Sequence, residues 1–267
     1  MKKRPVMMIT GAVQGLAQAL AEQLADDYRL VLVDRDRKAG EALTSTLRQD
    51  GAQVFFCRAD VRREADLQQA MARAQRRWGR LDVVVNAAAT VVTGAFEATS
   101  LDSWQTLWRL NVMGAVQSCR AALPLMTAQG QGYLVNIADI SGITAPPGMT
   151  AQAAGNAALI AFSEALASEL SGSGIKVSVV CPAPFHGPSP TPIEAPDRLS
   201  RARLEQERAN AEDVDQVAAA IIKAMARQPL YIFPQARARR VWRRKRWWPV
   251  RFARRMAALG ERRRRYS

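Results

Sequence analysis

The chain has 267 residues and a formal net charge of +14, enough length for one large α/β core with nothing that requires a second. The charge is concentrated: residues 237–267 hold fourteen Arg and Lys against the single acid Glu261, while residues 1–236 hold 24 basic and 23 acidic residues. Cys57, Cys119 and Cys181 are odd in number and widely spaced, and His186 is the single histidine, so the composition argues for reduced core thiols and against a protein metal site.

Met1-Lys2-Lys3-Arg4 imitates the start of a secretory signal, but the apolar run that follows is short and leads directly into a glycine turn. No run is long enough to span a bilayer, so the expectation is a cytoplasmic protein with surface attachment still open. The apolar residues 6–9 read as a strand, and Thr10-Gly11-Ala12-Val13-Gln14-Gly15-Leu16-Ala17 as a turn opening a helix. In a dinucleotide cradle Gly11 permits the tight turn, and Gly15 lets backbone approach a pyrophosphate held at the positive helix N-terminus. Ala17 stands at the third position, where its methyl crowds the helix–strand contact only slightly.

Arg29-Leu30-Val31-Leu32-Val33-Asp34 reads as a second buried strand. It ends in an acid placed about 20 residues beyond the glycines, where a ribose-binding carboxylate belongs. Asp34 favours NAD, while Arg35 could pair with a 2′-phosphate and keeps NADP open. Helical period over 38–49, strand over 53–58, helix over 64–78 and an apolar strand over 81–86 follow. The pattern continues with a long helix over 102–126, strand over 133–137, helix over 150–170 and strand over 176–181. This alternation predicts one doubly wound parallel sheet over residues 1–236, with ligands at the carboxyl ends of the strands.

Thr10-Gly11-x-x-x-Gly15, Asp60-Val61, residues 79–89 ending in Asn86-Ala87-Ala88-Ala89, Asn111-Val112-x-Gly114 and Val135-Asn136-Ile137 together resemble the short-chain dehydrogenase/reductases over roughly residues 5–233. The resemblance implies a Rossmann fold and hydride transfer between a nicotinamide and a carbonyl or alcohol carbon. It implies cofactor contacts at Gly11, Gly15, Leu16, Asp34, Arg35, Asp60, Val61, Asn86, Ala88, Asn156 and Pro182, with Asp60 on the adenine. The family's Asn-Asn-Ala-Gly stretch is here Asn86-Ala87-Ala88-Ala89, one amide and one glycine short. The resemblance also implies a homo-oligomer paired through the helices over 102–126 and 150–170, where Ala151, Ala153, Ala154, Ala157 and Ala158 permit close contact.

The family's proton relay uses a serine, a tyrosine, a lysine four residues later on the same helical face, and an asparagine on the preceding long helix. Aligned through Asn136-Ile137 and Gly142, these positions fall on Asp139, Gln152, Asn156 and Asn111, so only the asparagine survives. No tyrosine lies between Tyr133 and Tyr231 and no lysine between Lys38 and Lys176, so no shift of register restores the motif. A glutamine amide has no useful acidity near neutral pH, and an asparagine carries no charge to depress a neighbour's pKa. Asn111 equally suits a structural role, holding a helix irregularity by backbone hydrogen bonding.

Two residues offer other chemistry. Asp139, at a strand end facing the nicotinamide pocket, is a candidate acid or base if burial raises its pKa, or else a residue that bonds its own loop. His186 lies in the proline-rich segment 181–192, the counterpart of the family's substrate loop, where a solvent-exposed histidine is the plain alternative. Asn156 keeps donors for ribose hydroxyls, so cofactor binding can outlive the reaction.

In residues 237–267, Trp242, Trp247, Trp248 and Phe252 are interleaved with cations, and Phe252, Met256 and Leu259 recur at helical spacing beyond Pro249. This pattern points to an interfacial amphipathic helix on an anionic membrane surface, ahead of nucleic-acid binding by the same arginines and tryptophans, or a solvated tail. The sequence therefore reads as a nicotinamide dinucleotide-binding protein that lacks the ordinary active site and acts as a partner at the membrane face. The alternatives are an oxidoreductase using Asp139 or its own substrate for the proton, and a nucleic-acid binder.

Overall fold

The structure is a computed structural model that describes residues 4–188 and 191–265, the side chains of 263–265 excepted. Residues 1–3 of the signal-like start, Ser189 and Pro190 of the proline-rich segment, and Tyr266 and Ser267 of the tail lie outside the described residues.

The first half runs β1 (Val6–Thr10), α1 (Gly15–Leu24), β2 (Arg29–Asp34), α2 (Arg37–Gln49), β3 (Val54–Arg58), α3 (Glu64–Trp78), β4 (Val83–Asn86) and a short β5 (Val91–Val92). Next come α4 (Leu101–Leu107), a π-helical segment (Trp108–Met113), α5 (Gly114–Gln129), β6 (Gly132–Ile137), a single turn α6 (Ser141–Thr144), α7 (Thr150–Glu169) and β7 (Ile175–Val180). The remainder is β8 (Phe185–His186), β9 (Ile193–Glu194), α8 (Arg198–Ala209), β10 (Glu212–Asp213), α9 (Val214–Met225), β11 (Tyr231–Ile232), α10 (Ala236–Trp247) and α11 (Pro249–Arg265).

Seven strands form one parallel sheet in the order β3-β2-β1-β4-β6-β7-β11. Strand alternation sends Met7 and Ile9 of β1 to one face, where they meet α1 and α9, and Val6 and Met8 to the other, where they meet α3 and α5. Both faces are buried, which explains why these strands read as unbroken apolar runs. Each fully buried Leu, Ile or Met contributes on the order of 1.5–3 kcal/mol, so the layers are held chiefly by this two-sided core. Winding reverses between β1 and β4, opening a crevice at the carboxyl ends of the strands.

One predicted element differs. The segment 102–126 is not a continuous α-helix: the π segment interrupts it, and Asn111 sits inside that interruption. Asn111 Oδ1 accepts from Thr90 N at 2.9 Å and Nδ2 donates to Thr90 O at 2.8 Å, tying the irregular turn to the chain leaving β4. Periodicity does not reveal an interruption that a distant backbone group completes.

The basic segment begins docked on the sheet edge. Ala238 is buried, Trp242 packs at 5.5 Å from Tyr231 and 5.2 Å from Phe233, and Lys245 Nζ donates to Ile143 O. The helix α11 is mostly exposed, although Gly260 comes close to Pro147.

Candidate functional site

The ends of β1 and β4 are fastened first. Thr10 Oγ1 accepts from Ala87 N at 3.1 Å and Ala88 N at 3.4 Å. Gly11 follows at φ +67, and a Cβ there would lie 2.6 Å from Ala88 Cα, so only glycine fits between the two strand ends. Gly15 has φ +48, and α1 then begins without a side-chain cap and without an acid in its first turn. Its N–H groups and dipole are therefore unneutralised by protein where Gln14, Leu16 and Ala17 open on the crevice, as a pyrophosphate cradle requires. The residues present fit that group.

Farther along the crevice, Asp34 Oδ1 accepts from Asp36 N at 3.0 Å, while Arg35 is exposed. Asp60 is paired with Arg62 at 2.6 Å, and this hydrogen-bonded guanidinium holds its carboxyl below the usual range. Val61 is buried against Gly114, where a Cβ would come within 2.8 Å of Val61 Cγ2. Asn86 Nδ2 donates to Asn136 Oδ1 at 2.8 Å, and Asn136 Nδ2 to Ser163 Oγ at 2.9 Å, joining β4 to β6 and α7.

Asn111, Asp139, Gln152 and Asn156 also lie in this crevice. Gln152 is 3% exposed and Asn156 5% exposed, both on the face of α7 that meets the sheet end. Gln152 Oε1 accepts from Val92 N at 3.2 Å, which orients the amide so that Nε2 donates to Asp139 Oδ2 at 2.7 Å. Asn156 Nδ2 donates to the same oxygen at 2.8 Å, and Ser141 N donates to Asp139 Oδ1 at 2.6 Å. Burial pushes the Asp139 carboxyl above its ordinary pKa, and hydrogen bonds from the Ser141 side chain and backbone, Gln152 and Asn156 act against that rise. The arrangement is a half-buried carboxylate held by two amides and one backbone N–H.

A cavity of about 360 Å³ joins the cradle to this cluster; Leu16, Asn111, Asp139, Gln152, Asn156 and Pro182 all line it. Asp34, Arg35, Asp60, Val61, Asn86 and Ala88 lie outside it, at or just beyond the ends of β2, β3 and β4. His186 lies outside it too, on a neighbouring hollow, with Nδ1 3.6 Å from Asp213 Oδ2. Sequence reasoning missed the far wall, which α8 and α10 supply through Leu204, Glu207, Arg208 and Arg237. It also missed Gln235, a buried amide that bonds Ala183 N and Ala183 O and pins the Pro182 loop to the start of α10. No spacing marks those residues, because they reach the cavity only through the return of the chain. Among the described residues, no cluster of His, Cys, Asp and Glu has a metal-holding arrangement.

Known proteins place this architecture. A family model described as short chain dehydrogenase matches residues 5–197. An uncharacterised oxidoreductase of Staphylococcus aureus is 30% identical over 178 residues, 66% of this chain and 76% of that protein. A CLA biosynthesis dehydrogenase/reductase of Lactiplantibacillus plantarum is 28% identical over 250 residues, 86% of this chain and 87% of that protein. Among solved structures, a short-chain dehydrogenase/reductase from Burkholderia phymatum in complex with NAD superposes with a TM-score of 0.82 at 26% identity, covering 92% of this chain and 94% of that one. A short-chain dehydrogenase from Sphingobium yanoikuyae in complex with NADPH gives 0.76 at 29% identity, covering 94% of each chain. With the family model spanning more than half its length and the Rossmann sheet in place, the chain belongs to the short-chain dehydrogenase family.

Proposed function

We propose that this protein binds a nicotinamide dinucleotide, NAD ahead of NADP, and does not perform the ordinary tyrosine-based carbonyl reduction of its family. The observation that carries the reading is the closure of the relay positions on themselves: the amides of Gln152 and Asn156 both donate to Asp139 Oδ2. Neither amide has a proton to give near neutral pH, and neither carries a charge to activate a neighbour. Loss of a positioned general acid costs about a hundredfold to ten-thousandfold in rate. The cradle, by contrast, keeps its glycine turn and open helix end. A bound nicotinamide would supply hydride donation or acceptance. Asn156, Asp139 and Leu16 would position its reactive end against the cavity, and Asp34 would meet the ribose.

Thermal unfolding with NAD, NADH, NADP and NADPH, each at about a hundredfold its dissociation constant, tests the reading. Binding adds roughly 2.7 kcal/mol, and the absence of a shift with all four overturns it. A second reading is favoured by the burial of Asp139, which raises its pKa and suits a proton partner. On that reading Asp139→Asn abolishes turnover of a redox substrate, and an unchanged rate excludes the role.

The tail supports a place at the cytoplasmic face of an anionic membrane. Trp247 is 73% exposed and Trp248 54%, beside exposed Val250 and the cations of α10 and α11. Aromatic rings at headgroup depth with several nearby arginines suffice for peripheral attachment. Retention on DNA that collapses with salt, without vesicle binding, would favour nucleic acid instead. Exposed Leu101, Trp108 and Met113 along α4 and the π segment support a homo-oligomer, testable by sedimentation.

A further inference from the structure

Arg208, near the C-terminal end of α8, is half-buried, and its Nη1 donates to Thr191 O at 3.0 Å. Among the described residues it forms no ion pair. Burial pushes its pKa down, and the charges of Asp139 and Glu205 act in the opposite sense. A partly desolvated guanidinium with no carboxylate at ion-pair distance is a costly arrangement that a ligand anion would relieve. Arg208 lines the same cavity as Asp139, Gln152 and Asn156, and Arg237 adds a second cation from α10. Much of the surrounding wall is apolar, including Val91, Ile140, Met149, Phe185 and Leu204. The acids on the wall are Asp139, whose oxygens already accept from Ser141, Gln152 and Asn156, and Glu207, which is exposed.

We propose that the cavity takes an apolar carboxylate, its anionic group on Arg208 and its hydrocarbon against Phe185 and Leu204. The planar guanidinium presents parallel donors that match a carboxylate, whereas a neutral amide of the same shape gains no charge-assisted bond. A cavity of about 360 Å³ accommodates a small or medium chain beside the end of a nicotinamide. The inference deepens the dinucleotide reading by naming the chemistry of the ligand that shares its crevice.

Calorimetry of the full-length protein with octanoate and with octanamide, each with and without NADH, tests it. Octanoate is expected to bind roughly tenfold more tightly than octanamide or better, the measure of one charge-assisted contact. Arg208→Gln removes the preference, and Arg208→Lys, which keeps the charge, retains part of it. Equal binding of the two probes to the native protein, binding of neither, or a preference unchanged in Arg208→Gln would overturn the proposal, as would a Lys variant as indifferent as the Gln variant. The dinucleotide reading fails separately: an octanoate preference that persists while NADH itself does not bind sinks that reading and leaves the carboxylate site standing.

Discussion

Asn156 Nδ2 donates to Asp139 Oδ2 at 2.8 Å, and this contact joins α7 to the chain leaving β6. Gln152 Nε2 reaches the same oxygen at 2.7 Å, so the three side chains form one connected set. A carboxylate needs donors once buried, and two amides supply them without adding charge. Replacing Asp139 alone would take from Gln152 Nε2 the acceptor it has here.

That coupling gives a pH signature. Burial raises the folded-state pKa of Asp139 above its unfolded value of about 3.9, so the contribution of this group is fully present below about pH 3.9 and is lost as pH rises through the folded pKa. Asp139→Asn cannot ionise. Its stability relative to the native protein is therefore expected to improve as pH rises from 4 to 8, read as the difference in Tm at each pH. A flat or falling difference would mean that the hydrogen bonds from Ser141, Gln152 and Asn156 outweigh burial and hold the carboxylate ionised.

The cradle makes a stability prediction that separates strain from collision. Gly11→Ala places a Cβ 2.6 Å from Ala88 Cα at φ +67 and is expected to cost about 2–4 kcal/mol and to remove dinucleotide-induced stabilisation. Gly51 has φ +90 but nothing within 4 Å of an added Cβ, so Gly51→Ala carries the backbone strain alone, about 1 kcal/mol. Denaturant unfolding of the two variants compares them directly. Equal losses would mean that the approach of Ala88 relaxes at no cost.

Asn111 lines the cavity, and its amide is fully engaged by the backbone of Thr90. Asn111→Ala leaves Thr90 N and O buried without that partner and is expected to cost roughly 2–4 kcal/mol, a Tm drop of about 4–16 °C for a chain of this size. Dinucleotide affinity should change by no more than a few-fold, since the cradle at Gly11 and Gly15 is untouched. A variant that keeps its Tm would deny the residue this structural part.

The sheet was legible because its strands are short apolar runs separated by helix-period segments, and because turn glycines such as Gly11 and acids such as Asp34 mark the strand ends. Asp139, Gln152 and Asn156 were legible through their spacing after Asn136, and their meeting at one carboxylate oxygen followed from the fold. Arg208 carried no such signal. It lies in a helix rich in Arg and Glu, where one more arginine looks like solvated surface, and only the packing of α8 over the crevice turns it inward. The π turn at Asn111 was hidden for a related reason, since its partner Thr90 is 21 residues away.

The tryptophans of the basic segment divide by what they touch. Trp242 packs on Tyr231 and Phe233 at the sheet edge, where a half-buried indole contributes both area and ring contacts, so Trp242→Ala is expected to cost about 1.5–3 kcal/mol. Trp247 and Trp248 are exposed, and replacing both by Ala should alter stability by no more than about 0.5 kcal/mol. The same double variant should weaken binding to vesicles of phosphatidylcholine with phosphatidylserine roughly tenfold or more, while the arginines leave a residual attraction that salt screens. Chemical unfolding and vesicle co-sedimentation read the two quantities independently. Should the exposed pair prove costly to stability and indifferent to vesicles, these rings would be packing residues of the assembled protein, and the membrane reading of the tail would fall.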